Sequence, residues 1–216
     1  MKDEGLNYSS SGPVVTGIDM KAAMYDVVRG GTEGLMGEVI ELHGDKAVIQ
    51  VYEDTSGIRP GEIVVNTGET LSVSLGPGLL TQIYDGIQRP LPTLEKEMGV
   101  FLTRGVDADA FDLEKIWTVE PQVSVGDTVV GGQVVGHVQE TDTIVHKIMV
   151  VPGMGGVVKS IESGDFNVTQ TICTFEDGSD MQMMQKWPVR TPRPYQQKYP
   201  PVIPLITGMR ILDFLF

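Results

Sequence analysis

The chain has 216 residues, of which 41% are hydrophobic and 21% are charged, a composition typical of a folded protein rather than a disordered one. Its formal net charge of -13 disfavours binding to nucleic acid backbones and anionic lipid surfaces, since no basic patch offsets it. No apolar run is long enough to predict a membrane span, and the first ten residues lack the features of a secretory signal, so we expect a cytosolic protein.

The first third of the chain predicts short strands joined by tight turns. One strand ends at a turn over residues 43–45, and the next places Ala47, Ile49 and Val51 on one face with a period of two. A Gly/Pro turn at residues 57–62 precedes a further strand. Such short strands favour a small closed barrel, which leaves no exposed edge, and we assign residues 1–75 to this N-terminal β-barrel.

Residues 76–110 predict a connector that contains one short helix. Apolar residues recur there near helical spacing, and prolines follow them as stops. The apolar residues are Leu79, Leu80, Ile83 and Ile87, and the prolines are Pro90 and Pro92. We therefore expect the helix to precede these prolines.

Residues 111–184 predict a second β domain, which resembles the barrel-sandwich fold of biotinyl and lipoyl carrier domains, with Val-Gly-Asp-like turns at residues 125–129 and 163–168. In those carriers the modified lysine stands at a hairpin tip, commonly after a Glu-Thr-Asp-like stretch. Here Thr143 follows that stretch, and its hydroxyl cannot form the required amide. Lys147 comes four residues later, outside the expected setting. These departures argue against a carrier function.

The last part of the chain predicts no compact structure of its own. Residues 185–205 contain six prolines, which favour a stiff, extended linker. The linker leads to the apolar residues 211–216, which stabilise a protein only when something covers them.

Two stretches partly match known binding loops. Residues 153–160 approach the phosphate-binding pattern G-x-x-x-x-G-K-[ST], but Val158 replaces the second glycine, so we expect a hairpin. Residues 107–118 begin like a calcium loop, but Asp112 and Thr118 replace its glycine and glutamate, so we expect a solvated turn.

The remaining reactive residues predict no chemistry. His43, His137 and His146 lack the spacing of metal ligands, and the single Cys173 is typical of a buried small side chain. We therefore predict no catalytic, cofactor-binding or metal-binding residue in this chain.

Several stretches, taken in order, resemble the catalytic A subunit of the archaeal and vacuolar type rotary ATP synthases. The most specific is the IYDGIQRPL segment. The matching stretches are residues 11–15, 24–31, 37–62, 75–91 and 207–216. Residues 1–10 depart from the pattern of that family, so the resemblance does not define the first barrel strand.

The resemblance implies a mainly β fold: an N-terminal β-barrel, then a bulge domain at residues 111–184, then an α/β P-loop domain. Residues 185–216 would be the Pro-rich linker and the start of the nucleotide-binding domain, so the chain would end before the P-loop. No residue of this chain would then correspond to the glycines, lysine and threonine of the P-loop or to the general-base glutamate. We therefore expect this chain to be inactive alone.

For the full-length protein, the resemblance implies an enzyme that binds ATP or ADP with Mg and couples ATP synthesis or hydrolysis to proton or sodium transport. It would alternate with non-catalytic B subunits in an A3B3 ring and contact central and peripheral stalk subunits. We expect it on the cytoplasmic side of a membrane as a peripheral protein, without direct insertion and without nucleic acid. The alternatives are a free-standing β-rich adaptor and an unmodified biotinyl- or lipoyl-like carrier domain.

A corner shaped by glycine and proline and carrying arginine and tyrosine suits a contact between subunits, although an ordinary packed connector has the same composition. The predicted interface residues are Gly76, Pro77, Gly78, Tyr84, Asp85, Gly86, Gln88, Arg89 and Pro90.

Overall fold

Short antiparallel strands dominate the computed structural model, which describes residues 3–99, 103–195 and 197–215. The first six strands form a closed barrel in the order β1-β2-β5-β4-β3-β6, and β6 pairs with β1 to close it. This confirms the predicted small barrel. Its strands are β1 (Asp3–Ser11), β2 (Val14–Ile18), β3 (Asp26–Gly30), β4 (Leu35–His43), β5 (Lys46–Val51) and β6 (Ile63–Thr70).

Alternation of apolar residues builds the barrel core. Ala47, Ile49 and Val51 point inward from β5, as their period-two spacing predicted. The start of the chain supplies the first strand, because β1 pairs with both β2 and β6. The backbones of β1 and β2 approach closely at Gly5, since a Cβ added there would meet the carbonyl oxygen of Ile18.

A sandwich of two four-stranded sheets follows the barrel, with the orders β11-β10-β8-β13 and β15-β14-β12-β9. Phe175 and Val119 are fully buried between the two sheets. The barrel-sandwich prediction is therefore confirmed. The strands are β8 (Trp117–Pro121), β9 (Thr128–Val130), β10 (Val134–Gln139), β11 (Val145–Met149), β12 (Gly155–Ile161), β13 (Gly164–Phe166), β14 (Thr171–Phe175) and β15 (Asp180–Gln182).

The predicted turn at residues 163–168 is wrong in its central part. Gly164–Phe166 form β13, which pairs with the first sandwich strand from Gly164 opposite Val119 to Phe166 opposite Trp117. The Gly-Asp pair indicated a turn, but hydrogen bonding to a distant strand decided the conformation.

A two-stranded ribbon joins the two ends of the sandwich region. It pairs β7 (Ser72–Leu75) with β16 (Gln185–Pro188) in antiparallel register. Two expectations change here: residues 72–75 leave the barrel, and residues 185–188 form a strand instead of a linker. Pro188 is compatible with this strand because it stands at the end of a two-stranded ribbon, where its missing N–H removes no central ladder bond.

The connector helix exists, but its predicted position before the prolines is wrong. The helix α1 spans Leu91–Met98 and has proline in its first turn, while Leu79 to Ile87 form turns. Proline suits the first helical turn because its φ is preset and its missing N–H would have no partner there. Leu94 is fully buried, and the helix ends at Gly99 with a positive φ of 78°.

The two partial binding loops adopt ordinary structure. Residues 153–160 form a corner that runs into β12, with Val158 buried in the sandwich core. Asp107, at the start of the calcium-like stretch, pairs with Arg29 on the barrel. Over the described ranges, no group of three or more His, Cys, Asp or Glu side chains is placed to hold a metal.

The last described residues leave large apolar side chains uncovered. They form a short helix, α2 (Arg210–Leu215), in which Ile211 and Phe214 are strongly exposed. Among the described helices, none is long and apolar enough to cross a membrane.

Two neighbouring valines of β9 allow a test of which side chains of this strand face the sandwich core and which face the surface. Val129 is 1% exposed and Val130 is 64% exposed. We expect Val129→Ala to lower the free energy of unfolding by roughly 1.5–3 kcal/mol, because it removes buried methyl groups and leaves a cavity. Val130→Ala should change it by less than about 0.5 kcal/mol. Urea unfolding measures both, and equal effects would contradict this register.

Candidate subunit interface

The nine predicted interface residues lie in the corner between β7 and α1. Gly76, Pro77 and Pro90 are buried, and Tyr84 and Pro90 form an isolated β-bridge that closes the corner. Gln88 adopts a positive φ of 65° and exchanges two hydrogen bonds with the backbone of Ser74, of 2.7 and 2.6 Å. The side chains of this corner therefore make many contacts within the chain itself.

Arg89 is the polar centre of the corner. Its guanidinium lies between two carboxylates, with Nη1 2.9 Å from Glu53 Oε1 and Nε 2.7 Å from Asp85 Oδ2. It also donates to the carbonyl oxygen of Val106 at 2.8 Å. The side chains of Arg89, Glu53 and Asp85 are only 11%, 9% and 17% exposed. Because Glu53 follows β5, this cluster fastens the connector to the barrel.

The pKa of Asp85 reflects two opposing effects. Burial alone would raise it, but the hydrogen bonds donated by Arg89 and by the backbone N–H of Ile87 outweigh burial and hold the pKa below its usual value. Asp85 thus remains ionised beside its cation.

The returning segment at residues 103–107 binds the same side of the barrel. Arg104 pairs with Glu33, with Nε 2.6 Å from Oε2, and donates to the carbonyl oxygens of Asp54 and Ser56. Gly105 permits this docking, because a Cβ at its φ of 73° would lie 2.2 Å from the carbonyl oxygen of Glu33.

Glu140, at the end of β10, fastens the sandwich to the corner. Its Oε1 accepts hydrogen bonds from the backbone N–H groups of Gly78 at 2.7 Å and Leu80 at 3.2 Å. Its side chain is 2% exposed, and Oε2 lies 3.5 Å from Nδ1 of His146. Burial lowers the pKa of His146, and the attraction of Glu140 offsets this only in part.

Arg190 brings the end of the ribbon back to the barrel. Its guanidinium makes two hydrogen bonds to the carboxylate of Glu38, which is buried on β4, and stacks on the ring of Tyr25 at 4.2 Å. Tyr52 Oη donates to the same carboxylate at 3.0 Å. The hydrogen bond from Arg190 lowers the pKa of Glu38 more than burial raises it, while burial and Glu38 raise the pKa of Tyr52 to about 12.

The outward surface of the corner includes only part of the predicted set. Leu80 and Ile83 are 60% and 66% exposed, and Gly86 is also exposed. The nine interface residues therefore remain a prediction, and the geometry adds Leu80 and Ile83 as exposed apolar side chains. Sequence reasoning missed Glu53 and Glu140, which are distant in the chain from the residues they bind.

The hairpin where a carrier would hold its modified lysine argues against the carrier hypothesis. Thr143 stands in the turn between β10 and β11, and Lys147 lies within β11 instead of at the hairpin tip. The chain thus keeps the sandwich without the lysine that a carrier needs.

Removing Arg89 should destabilise the chain, because two buried carboxylates would lose their cation. We expect Arg89→Met to lower the free energy of unfolding by about 3–5 kcal/mol. Arg29→Met is the matched control, since the Arg29–Asp107 pair is 31% and 67% exposed; its expected effect is below about 1 kcal/mol. Denaturant unfolding compares the two variants, and an Arg89→Met variant as stable as the control would refute the buried cluster.

Stability should fall in both acid and alkali because of Glu38 and Tyr52. The pKa of Glu38 is lower in the folded state, so its contribution is complete above the ordinary value of 4.5 and is lost as pH falls through the depressed pKa. The pKa of Tyr52 is raised from 10.0 to about 12, so its contribution is lost as pH rises across that interval. Urea unfolding of the wild type and of Glu38→Gln at several pH values measures the free energy of unfolding. As the pH falls, the variant should lose less of this free energy than the wild type.

Comparison with known proteins agrees with the two β units. Residues 7–68 match the model of the ATP synthase alpha/beta family, beta-barrel domain. Residues 108–190 match the model of the ATPsynthase alpha/beta subunit barrel-sandwich domain. The two matches occur in the same order as the barrel and the sandwich of the structure.

Relatives described as the A subunit of A-type ATP synthase match nearly the whole chain. The protein of Methanocorpusculum labreanum is 61% identical over 213 residues, 98% of this chain. Those of Methanosarcina barkeri and Natronomonas pharaonis are 58% and 56% identical over 216 and 215 residues. The chain spans about 37% of the length of each of these relatives. These matches disfavour a free-standing adaptor and a carrier, and the chain belongs to the ATP synthase alpha/beta family, in which it corresponds to the N-terminal part of the A subunit of A-type enzymes.

Proposed function

We propose that this chain is the scaffold and bulge portion of the catalytic A subunit of an A-type ATP synthase, which couples ATP synthesis or hydrolysis to proton or sodium transport across a membrane. The observation that carries this proposal is the identity of 56–61% to the A subunits of A-type enzymes over 98–100% of the chain. The order of barrel and sandwich domain models supports it independently.

In this function the chain would position other parts of the enzyme and perform no chemistry itself. The whole catalytic protein would bind ATP or ADP with Mg in its remaining part and alternate with B subunits in an A3B3 ring, peripheral to the membrane on its cytoplasmic side. Three polar attachments suit such a scaffold, because they hold barrel, connector and sandwich to one another: Arg89 with Glu53, Glu140 with Gly78, and Arg190 with Glu38.

The connector corner is the contact surface that we propose for a neighbouring subunit. Its inner residues, including Arg89 and Gln88, give it a fixed shape by hydrogen bonding within the chain. Leu80 and Ile83 supply exposed apolar area on that fixed shape. A rigid backbone that presents a few apolar side chains loses little entropy on binding.

A chimera tests the proposal. The 216 residues replace the matching segment of the Methanosarcina barkeri protein, and the product is co-expressed with the other subunits of that enzyme. We expect a ring of the parental mass by native mass spectrometry and Mg-dependent ATP hydrolysis comparable to the parent, because the scaffold should be interchangeable. The isolated chain should hydrolyse no ATP above background.

Variants of the chimera separate the interface from the fold. Leu80→Asp combined with Ile83→Asp should weaken ring assembly by roughly thirtyfold, the size of one hot-spot contribution of about 2 kcal/mol. Val130→Asp, which changes an equally exposed apolar residue on the sandwich, should leave assembly unchanged. A folded chimera that forms no ring would contradict the proposed function, whereas equal effects of the two sets of variants would contradict only the contact surface.

A further inference from the structure

Asn7 is a buried polar residue at the seam of the barrel. Its side chain belongs to β1, and its backbone binds the turn before β6: Asn7 N–H donates to the carbonyl of Glu62 at 2.8 Å, and its carbonyl accepts from Gly61 N–H at 2.7 Å. The side-chain Nδ2 donates to the carbonyl of Arg59 at 2.9 Å. Asn7 therefore fastens the turn at residues 57–62 to the first strand.

One atom of this residue has no donor. Asn7 is only 2% exposed, and its Oδ1 is buried without a hydrogen-bond partner among the described residues. Such an acceptor costs about 1–3 kcal/mol if it stays unsatisfied. Rotating the amide would not help, because Oδ1 would then face the carbonyl of Arg59 and Nδ2 would lose its acceptor.

Asn66 shows how the same barrel satisfies a buried amide completely. Its Oδ1 accepts from Gly68 N–H at 3.0 Å. Its Nδ2 donates to the carbonyl of Lys21 and to Asp26 Oδ2, at 2.8 and 2.9 Å. The missing donor is thus a property of the Asn7 site and not of buried amides in this barrel.

Asn7 also lines a small cavity inside the barrel. The other lining residues are glycines or apolar residues, among them Val28, Leu35 and Gly31, so the Asn7 amide is the polar side chain of the cavity. The cavity offers about 10 Å³ to a water-sized sphere. This is close to the space that one water molecule requires.

A polar pocket adjoins this cavity. Gly31 and Ile58 border both the inner cavity and a polar pocket that Glu62 and Arg104 line. The carboxylate of Glu62 approaches Gly31 so closely that an added Cβ would lie 2.9 Å from Oε2. A buried water needs two or more polar partners. Asn7 Oδ1 is one acceptor that borders the cavity, and the carboxylate of Glu62 lies in the adjoining pocket, beside Gly31.

We propose that the barrel binds one ordered water molecule, which donates a hydrogen bond to Asn7 Oδ1 and lies between the β1 seam and the Glu62 side of the turn. A metal cation does not suit this place, because hard cations take six or more oxygen ligands and the lining is mainly apolar. The water would complete the hydrogen bonding where the barrel closes.

A crystal structure of the chain at high resolution tests the site directly. We expect a single spherical density peak at hydrogen-bonding distance, about 2.7–3.2 Å, from Asn7 Oδ1. Asn66 Oδ1 is the internal control and should have no such peak, since Gly68 N–H already occupies it. Absence of the peak at Asn7, or a peak with the coordination of a metal, would overturn the proposal.

Solution NMR gives a test that does not depend on a crystal. A buried water of long residence should give cross-peaks to the amide of Gly31 or the methyl groups of Val28, with the same sign as those of the protein. In Asn7→Leu these cross-peaks should disappear, because the apolar side chain offers no acceptor. If this variant does not fold, the wild-type spectrum decides: lack of water cross-peaks to both residues contradicts the site.

Discussion

The burial of Arg89 between Glu53 and Asp85 is the constraint on which the arrangement of the chain depends. A guanidinium that is 11% exposed needs both carboxylates, and these come from the end of a barrel strand and from the connector itself. Once the three groups meet, the direction in which the connector leaves the barrel is fixed. Arg104 and Arg29 strengthen the same attachment from more exposed positions.

The sandwich is then held at both of its ends. The chain enters it through the corner that Glu140 binds and leaves it through β16, which pairs with β7. Arg190 returns to the barrel directly after this ribbon and reaches the buried carboxylate of Glu38. The segments that enter and leave the sandwich thus lie side by side, paired through their backbones as β7 and β16. The ion pair of Arg190 with Glu38 then attaches the end of this ribbon to the barrel.

This construction depends on directed polar contacts between segments that are distant in the chain. Surface ion pairs contribute little to stability, but buried pairs that join distant segments select one relative placement of those segments. The proposed role in a ring of subunits would require contact surfaces in fixed positions. Within the described residues, exposed Leu80 and Ile83 stand on a backbone fixed in this way.

The sequence by itself determined the local architecture of this protein. Runs with a period of two, separated by Gly and Pro turns, predicted the barrel, and Ala47, Ile49 and Val51 face its core as expected. The sandwich was expected from the resemblance of residues 111–184 to biotinyl and lipoyl carrier domains. Only the tertiary structure decided the helix position, the strand at Gly164–Phe166, the ribbon and the clusters of Glu53, Glu140 and Glu38. The physical reason is that spacing along a chain encodes which face of a strand is buried, whereas hydrogen-bond and charge partners separated by 36, 62 and 152 residues meet only after the chain has folded.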